Sequence, residues 1–373
     1  MALRRHGGRR AGRDRGVGVR GAPNMTKGHD GGRMRELPSD AGAADMHAQT
    51  RHRRGGRDDM AVPPAEFRSY YGRQILKTPV WNWMIAAYLF SGGLSAGSAL
   101  LAAGADLTGR PQLRKVSRVG ALVSLLASMY FLVGDLGRPE RFHHMLRVAK
   151  PSSPMSMGTW ILSGYGPGAG AAAVAELMPK RLRRSRLGRL LDFAARPAGL
   201  EAAAVAPGVA SYTAVLLSQT AVPAWREAHP YLPFIFTGSA AASGAGLGML
   251  LAPVSESGPA RRMAVAGAAL EVAASRTMEH RLGLVGEAYT TGRPHTLRKW
   301  SEILTVGGAV GAVASGRNRW AVAASGAALL AGSALQRFGV FEAGVQSTQD
   351  PKYVVIPQRE RLDAGHPARG DDR

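Results

Sequence analysis

The stretch VWNWMIAAYLFSGGLSAGSALLAAGA (residues 80–105) decides the fold class, because it contains no charged side chain. A helix of about 20 apolar residues crosses the ~30 Å hydrocarbon core of a bilayer. Similar stretches recur along the chain, and charged connectors separate them; they are residues 116–134, 155–178, 197–222, 230–252, 262–278, 300–316 and 318–338. The pattern predicts an all-α polytopic membrane protein with about eight transmembrane helices.

The apolar stretches differ in strength. The first, second, fourth, fifth and eighth are clear, the third is rich in glycine, and the sixth and seventh are short and weakly hydrophobic. Seven or nine spans therefore remain open alternatives. Gly93 and Gly97 are four residues apart, as are Gly244 and Gly248, and small residues at this spacing let membrane helices approach closely.

The two ends of the chain differ in composition from its centre. Residues 1–59 hold 14 Lys and Arg against 7 Asp and Glu, with no apolar period, which predicts a disordered basic Gly/Arg-rich extension. Met60 is an alternative start. We expect a transmembrane domain over residues 60–361 and a polar tail over residues 362–373.

The net charge of +22 suggests either nucleic acid or a membrane surface as a partner. Beyond the extension, the Arg and Lys residues lie in connectors between apolar stretches, as in the loops of membrane proteins. Nucleic-acid binding instead favours basic residues beside aromatic ones on a folded surface. The pattern predicts a lipid membrane as the partner and no nucleic acid.

Metal cofactors are constrained by two residue types. The chain has no cysteine, which excludes a cysteine-ligated iron–sulfur cluster. Its ten histidines lie in the extension, in connectors or at the ends of spans, so no pair faces another across a bilayer core. We therefore expect neither haem nor an iron–sulfur cluster in this chain.

Aromatic side chains mark the start of the first span. Trp81, Asn82, Trp83 and Tyr88 fit either an interfacial aromatic belt or a slot for a flat ring. Tyr212 lies deep in the fourth span, where a phenol needs a hydrogen-bond partner. That partner is either another part of the protein or a ligand.

Charged side chains occur at a span end and within spans. Asp135 and Arg138 end the second span and form either a helix-ending ion pair or a proton- or ligand-handling group. Glu201 and Glu271 lie within the fourth and sixth spans, where a carboxylate is costly and is by default a functional hypothesis. They are either a proton relay or protonated groups that bond to a neighbour.

Five segments together resemble the NrfD/polysulfide-reductase membrane-anchor family. The resemblance covers residues 68–361, and the segments occur in the family's order. They are VWNWMIAAYLFSGGLSAGSALL (80–101), DLGRPERFHHMLRVAKPSSPMSMGTWIL (135–162), SYTAVLLSQTAVPAW (211–225), RLGLVGEAYTTGR (281–293) and SALQRFGVFEAGVQSTQDPKYVVIPQRER (333–361). Ala214 stands where the family more usually has glycine.

The resemblance implies two four-helix bundles in the inner (plasma) membrane, forming one subunit of a respiratory molybdopterin-type oxidoreductase. Such anchors bind menaquinone or ubiquinone and carry no haem. They dock a ferredoxin-like subunit with four-iron clusters, which joins a molybdopterin catalytic subunit. By this resemblance the quinone pocket lies in the first bundle, with Trp83, Tyr88 and Tyr212 as cofactor-binding residues. Some members have His and Asn in the first-span motif, where this chain has Tyr88 and Ile85.

Proton transfer to and from the quinone is expected to use groups near the membrane surface. The candidates are Asp135, Arg138 and His144, with His143 beside them, because histidine titrates near physiological pH. Two other functions stay open. The chain could be a passive anchor, or a proton- or ion-translocating transporter subunit in which Glu201 and Glu271 form the site.

Overall fold

The computed structural model describes residues 73–365, and within this part of the chain all regular secondary structure is helical. The predicted disordered extension at residues 1–59 lies outside the described residues. Most of the predicted polar tail at residues 362–373 does as well. A final helix, Lys352–Asp363, extends into the first two residues of that tail.

Eight long helices account for most of the described chain. In chain order they are α1 Trp83–Leu107, α2 Pro111–Gly134, α3 Pro154–Leu177, α4 Arg186–Ser218, α5 Leu232–Leu251, α6 Gly258–Arg281, α7 Gly292–Ala314 and α8 Arg319–Gln349. The helix Lys352–Asp363 is α9. Each long helix overlaps one predicted apolar stretch.

Among the described helices, four are long and apolar enough to cross a membrane, namely α1, α2, α4 and α5. The eighth stretch, which looks clear in the sequence, is not among them. Its helix α8 places Ser325, Ser333, Gln336 and Arg337 in the protein interior, and these polar side chains lower its apolar character. The number of helices that cross the bilayer stays a prediction.

The helices form the two expected four-helix bundles. In the first bundle α1 packs on α2 and α4, and α3 closes the ring between α2 and α4. In the second, α5 packs on α6 and α8, and α7 closes the ring. We call the end of each bundle where α1, α3, α5 and α7 begin the cavity end, and the opposite end the hairpin end.

The two bundles meet where α1 and α5 approach through small residues. A Cβ atom added to Gly97 would lie 1.9 Å from the carbonyl oxygen of Ala240, and one added to Gly244 would lie 2.2 Å from the carbonyl carbon of Gly97. Any larger side chain would push the backbones apart. The glycine spacing noted in the sequence therefore marks the contact between the bundles.

Helix α4 differs most from its predicted limits. The apolar stretch begins at residue 197, whereas the helix begins at Arg186, after the Ser185 side chain accepts a hydrogen bond from the Gly188 N–H at 3.0 Å. This N-terminal cap lets polar residues of the connector continue the helix. Pro197 and Pro207 lie inside α4, and each lacks the N–H that a regular helix would use.

Candidate functional site

A cavity of about 160 Å³ lies at the cavity end of the first bundle. All four helices of that bundle line it. Its walls are mostly apolar and include Trp81, Ile85, Leu89, Leu132, Leu136, Met145, Met155, Leu162, Leu216 and Leu217. Apolar cavities of about 150 Å³ hold a ring of benzene size, so this cavity fits one flat ring head group.

Two tyrosine hydroxyls meet in this cavity. Tyr88 from α1 and Tyr212 from α4 both line it, and their hydroxyl groups are hydrogen-bonded to each other. Both side chains are buried, with 3% and 8% of their surface exposed. A pair of hydroxyls uses one of its two hydrogens in the mutual bond, so one hydrogen stays free to be donated to a ligand.

Gly158 of α3 makes room for the second tyrosine. A Cβ atom at this position would lie 2.3 Å from Cε2 and 2.5 Å from Cδ2 of the Tyr212 ring. Any side chain here would therefore move the ring of Tyr212. The sequence contains Gly158 within the segment of family resemblance, but nothing in one sequence indicates which ring it faces.

Asp135 lies at the rim of the cavity and lines it from the C-terminal end of α2. Its Oδ1 accepts a hydrogen bond from the backbone N–H of Asn82 at 3.2 Å. The side chain is half-buried. Asp135 therefore ties the end of α2 to the start of α1 and has one carboxylate face near the cavity.

The proposed ion pair between Asp135 and Arg138 is not present. The described ion pairs include none between these residues, and Arg138 is exposed. A 3₁₀ helix, Pro139–Leu146, follows Asp135, and Arg138 is the residue directly before it. Asp135 does end α2 as expected, but without an ion pair to Arg138.

The other predicted site residues lie outside the cavity. Trp83 is 57% exposed, and its ring packs edge-on against Phe131 with centroids 5.8 Å apart. His143 and His144 are exposed on the 3₁₀ helix, with ring centroids 4.4 Å apart. Partial desolvation and the charges of Arg147 and His143 lower the pKa of His144 below its ordinary value.

Trp81, rather than Trp83, is the tryptophan of the first-span motif that lines the cavity. Its ring stacks on that of Trp225, with centroids 5.8 Å apart and an angle of 27°. Trp225 is fully buried, and its Nε1–H donates to the Val340 carbonyl at 2.8 Å. This pair connects the cavity wall to α8 of the second bundle. Sequence reasoning missed it because the two residues are distant in the chain.

The two glutamates within the predicted spans lie in different surroundings. Glu201 is exposed on α4, with its Oε2 where a Cβ atom of Gly168 would lie. Glu271 is buried in the second bundle. The structure does not bring the two together, so they do not form one relay.

The hairpin end of the first bundle holds a cluster of charged side chains that sequence reasoning also missed. Arg118 is 6% exposed, and its guanidinium lies 3.0 Å from Glu176 and 3.5 Å from Asp106. Arg114 contacts the same two carboxylates at 2.7 and 3.1 Å. These ion pairs join α1, α2 and α3 at the end opposite the cavity.

Among residues 73–365 there is no group of three or more His, Asp or Glu side chains that could hold a metal ion. The donor groups of the cavity are hydroxyls and one carboxylate. This donor set fits an organic ring with carbonyl or hydroxyl oxygens better than it fits a metal ion.

The polysulphide reductase NrfD family model matches residues 74–273. The chain belongs to this family. The match includes every residue that lines the cavity and ends within α6 of the second bundle.

Two curated relatives agree with the family assignment, and each is one component of a reductase. The component of polysulfide reductase from Wolinella succinogenes is 31% identical over 180 residues, which is 45% of this chain and 56% of the relative. The component of selenate reductase from Mesobacillus selenatarsenatis is 37% identical over 88 residues, 23% of this chain and 20% of the relative. The alignments thus cover about half the length of the first relative and a fifth of the second.

Proposed function

We propose that this NrfD-family protein is the membrane-anchor subunit of a respiratory molybdopterin-type oxidoreductase, and that it binds menaquinone or ubiquinone in the first bundle. It exchanges electrons between the quinone pool of the inner membrane and an iron–sulfur partner subunit. The observation that carries the proposal is the meeting of the Tyr88 and Tyr212 hydroxyls in an apolar cavity of single-ring size.

Different cavity residues would contact the ring of a quinone and its oxygen atoms. The apolar walls exclude water from the ring, and the free hydrogen of the tyrosine pair is donated to one ring oxygen. Such a donor favours negative charge on that oxygen, which develops when two electrons arrive. A prenyl tail exceeds the volume of the cavity and would lie between helices or in lipid.

Reduction of a quinone to a quinol takes up two electrons and two protons. Asp135 lines the same cavity as the tyrosine pair and lies at the end of α2. We assign it the exchange of protons between the cavity and the surface. His144 and Arg138 lie on the surface beyond it and are further candidates for proton handling there.

The partner subunits are proposed from the relatives. Both curated relatives are named as one component of a reductase, which supports a complex with a catalytic subunit. We propose a ferredoxin-like four-iron-cluster subunit between the two. The exposed apolar residues Phe142, Leu146 and Val148 lie beside the cavity end and suit a protein contact there.

Binding of a short-chain naphthoquinone or benzoquinone to the full-length protein in lipid nanodiscs tests the proposal. Quenching of tryptophan fluorescence reports binding, because Trp81 lines the cavity. Loss of one hydrogen bond costs about 1 kcal/mol, so Tyr88→Phe and Tyr212→Phe should each weaken binding about fivefold.

Tyr165→Phe is the matched control. Tyr165 is a buried tyrosine of the same bundle that bonds to Ser95 at 2.7 Å and does not line the cavity. Its loss should leave the affinity unchanged. Equal affinities for all three variants would reject the tyrosine assignment, and a lack of saturable binding in the wild type would favour a passive anchor.

A further inference from the structure

The second bundle buries three charged side chains, and for two of them, Glu271 and Arg337, the described residues provide no ion pair. Glu271 of α6 is 3% exposed, and Arg337 of α8 is 1% exposed. Helices α6 and α8 are diagonal to each other, so the two side chains approach from opposite corners of the bundle. Burying a charge without a partner is costly, and such a group in a membrane protein therefore indicates a function.

Arg337 is held in place by neutral groups of α5. Its Nη2 donates to the carbonyl oxygen of Phe236 at 2.7 Å, and its guanidinium lies 3.7 Å from the centre of the Phe236 ring. Its Nε and Nη1 are buried and have no hydrogen-bond partner among the described residues. Two strong donors are therefore left to bind something else.

Glu271 likewise has a polar atom without a partner, in this case a hydrogen-bond acceptor. Its Oε2 is buried and has no hydrogen-bond partner among the described residues. No direct ion pair joins it to Arg337 within 4.0 Å. An ordered water commonly satisfies such buried groups, because it bonds to about three polar partners. Ser239 of α5 also faces Glu271, and it bonds to Ser333 of α8 at 2.7 Å.

A line of polar side chains leads from Glu271 to the cavity end of the bundle. Ser275 and Glu279 follow at intervals of four residues and so share one face of α6. Ser275 Oγ accepts from Gln336 Nε2 at 3.4 Å. Glu279 is 30% exposed and pairs with Arg298 of α7 at 2.6 Å. The buried carboxylate thus has polar neighbours on the way to the surface.

We propose that Glu271 and Arg337 form a proton-binding site in the second bundle, bridged by water and loaded from the cavity end through Ser275, Gln336 and Glu279. A proton from bulk water moves along this line to a carboxylate oxygen of Glu271, and the same path returns it. The guanidinium keeps its charge throughout. The site is separate from the quinone cavity and does not depend on it.

The groups that face Glu271 set the charge balance of the site. Arg337 reaches it from α8, and Arg298 adds a positive charge from α7. Glu279 lies on its own helix, α5 contributes the hydroxyl of Ser239, and α1 contributes Gly93, whose added Cβ would lie 3.0 Å from Nη2 of Arg337. Arg337 is therefore the charged group that faces Glu271 without an ion-pair partner of its own, since Arg298 is paired with Glu279.

Infrared difference spectra of the full-length protein in nanodiscs test the site. The C=O stretch of protonated Glu271 should appear as the pH falls and shift on transfer into D₂O, because the site exchanges protons with bulk water. Glu271→Gln should abolish this band. Arg337→Met should move its midpoint to higher pH, because the carboxylate loses a nearby positive charge.

Glu201→Gln is the matched control, because Glu201 lies within a predicted span but is exposed. It should leave intact the band that Glu271→Gln removes. Thermal unfolding confirms that each variant is folded. The proposal is overturned if the spectra of wild type and Glu271→Gln do not differ in a titrating carboxyl band. That result does not bear on quinone binding, which the tyrosine variants test.

Discussion

Arg118 in the first bundle and Arg337 in the second are both buried, but their surroundings differ. Arg118 lies among two carboxylates at the hairpin end, both within 3.5 Å. Arg337 lies on a phenylalanine ring in the centre of its bundle, with no carboxylate of the described residues within 4.0 Å. The first bundle thus neutralises its buried charge directly, and the second keeps acid and base apart.

The two bundles therefore use buried charged side chains for different purposes. In the first, ion pairs fix the hairpin end, and the cavity end contains two tyrosine hydroxyls and the Asp135 carboxylate around a space for a ligand. In the second, Glu271 and Arg337 are buried, and no described ion pair neutralises either of them. We therefore expect substitutions in the first bundle to change stability or ring binding, and those at Glu271 to change proton binding.

The contact between the bundles should be the most sensitive to substitution. Gly97→Val would place a side chain 1.9 Å from the Ala240 carbonyl, so α1 and α5 must separate. Overpacking destabilises a fold by about 1–3 kcal/mol where side chains can move aside. Here the helix backbones themselves must move, so we expect a larger loss and no folded protein. Gly104→Val is the control, since no atom lies within 4 Å of its added Cβ. Folded yield in detergent distinguishes the two, and equal yields would refute the close contact.

Removal of Arg118 tests the charge cluster of the first bundle. Arg118→Met removes one partner from two largely buried carboxylates that Arg114 still contacts, which should cost about 1.5–3 kcal/mol. Arg183→Met removes an arginine from an exposed ion pair with Asp192 and should cost about 1 kcal/mol or less. Thermal unfolding gives both values. A small loss at Arg118 would show that the cluster does not fix this end of the bundle.

Gly158→Ala perturbs the cavity without removing a hydroxyl. The new methyl group would lie 2.3 Å from the Tyr212 ring and should turn it away from Tyr88. We expect quinone affinity to fall about tenfold, equivalent to ~1.4 kcal/mol. Gly164→Ala on the same helix has open space around it and should bind as the wild type does. An unchanged quinone affinity of Gly158→Ala would show that binding does not depend on the position of the Tyr212 ring.

Lys352 forms an ion pair at the protein surface, whose small contribution to stability should depend on pH. A hydrogen bond to Glu287 at 2.6 Å raises the pKa of Lys352, and both side chains are partly exposed. Lys352→Met should therefore cost about 1 kcal/mol or less. This loss is fully present below the unfolded-state pKa of about 10.4 and disappears as the pH rises through the higher folded-state pKa.

Thermal midpoints measured at pH 8 and at steps above pH 10.4 test this dependence. Lys299→Met is the control, because Lys299 is exposed and has no ion pair within the described part of the chain. A difference between wild type and Lys352→Met that stays constant with pH would contradict the role of the charge.

The fold was largely predictable from the sequence, and the site was predictable only in part. Apolar stretches of bilayer length locate helices directly, and all eight coincide with long helices. Tyr88 and Tyr212 come together as their family motifs suggested, but Trp81 replaces Trp83 at the cavity. The face of a helix that points inward depends on the neighbouring helices. A helix that is apolar on every face gives no sequence signal for that choice.

The buried charges show the same limit. The sequence identifies Glu271 as unusual, because a carboxylate within an apolar stretch stands out. Arg118 and Arg337 are also within or beside apolar stretches, yet their burial follows from partners on other helices. Contacts between distant parts of the chain, such as Trp81 with Trp225, are set by bundle packing and have no local pattern.

The most direct test of quinone binding is to map its position by covalent labelling. An azido-substituted quinone, activated by light in nanodiscs that contain the full-length protein, attaches to residues beside the bound ring. Peptide mass spectrometry should find the label at the cavity walls, around residues 81–89, 155–162 and 212–217, and Gly158→Ala should reduce it. Label confined to the outer helix faces, or spread evenly over the protein, would contradict a ring site between Tyr88 and Tyr212.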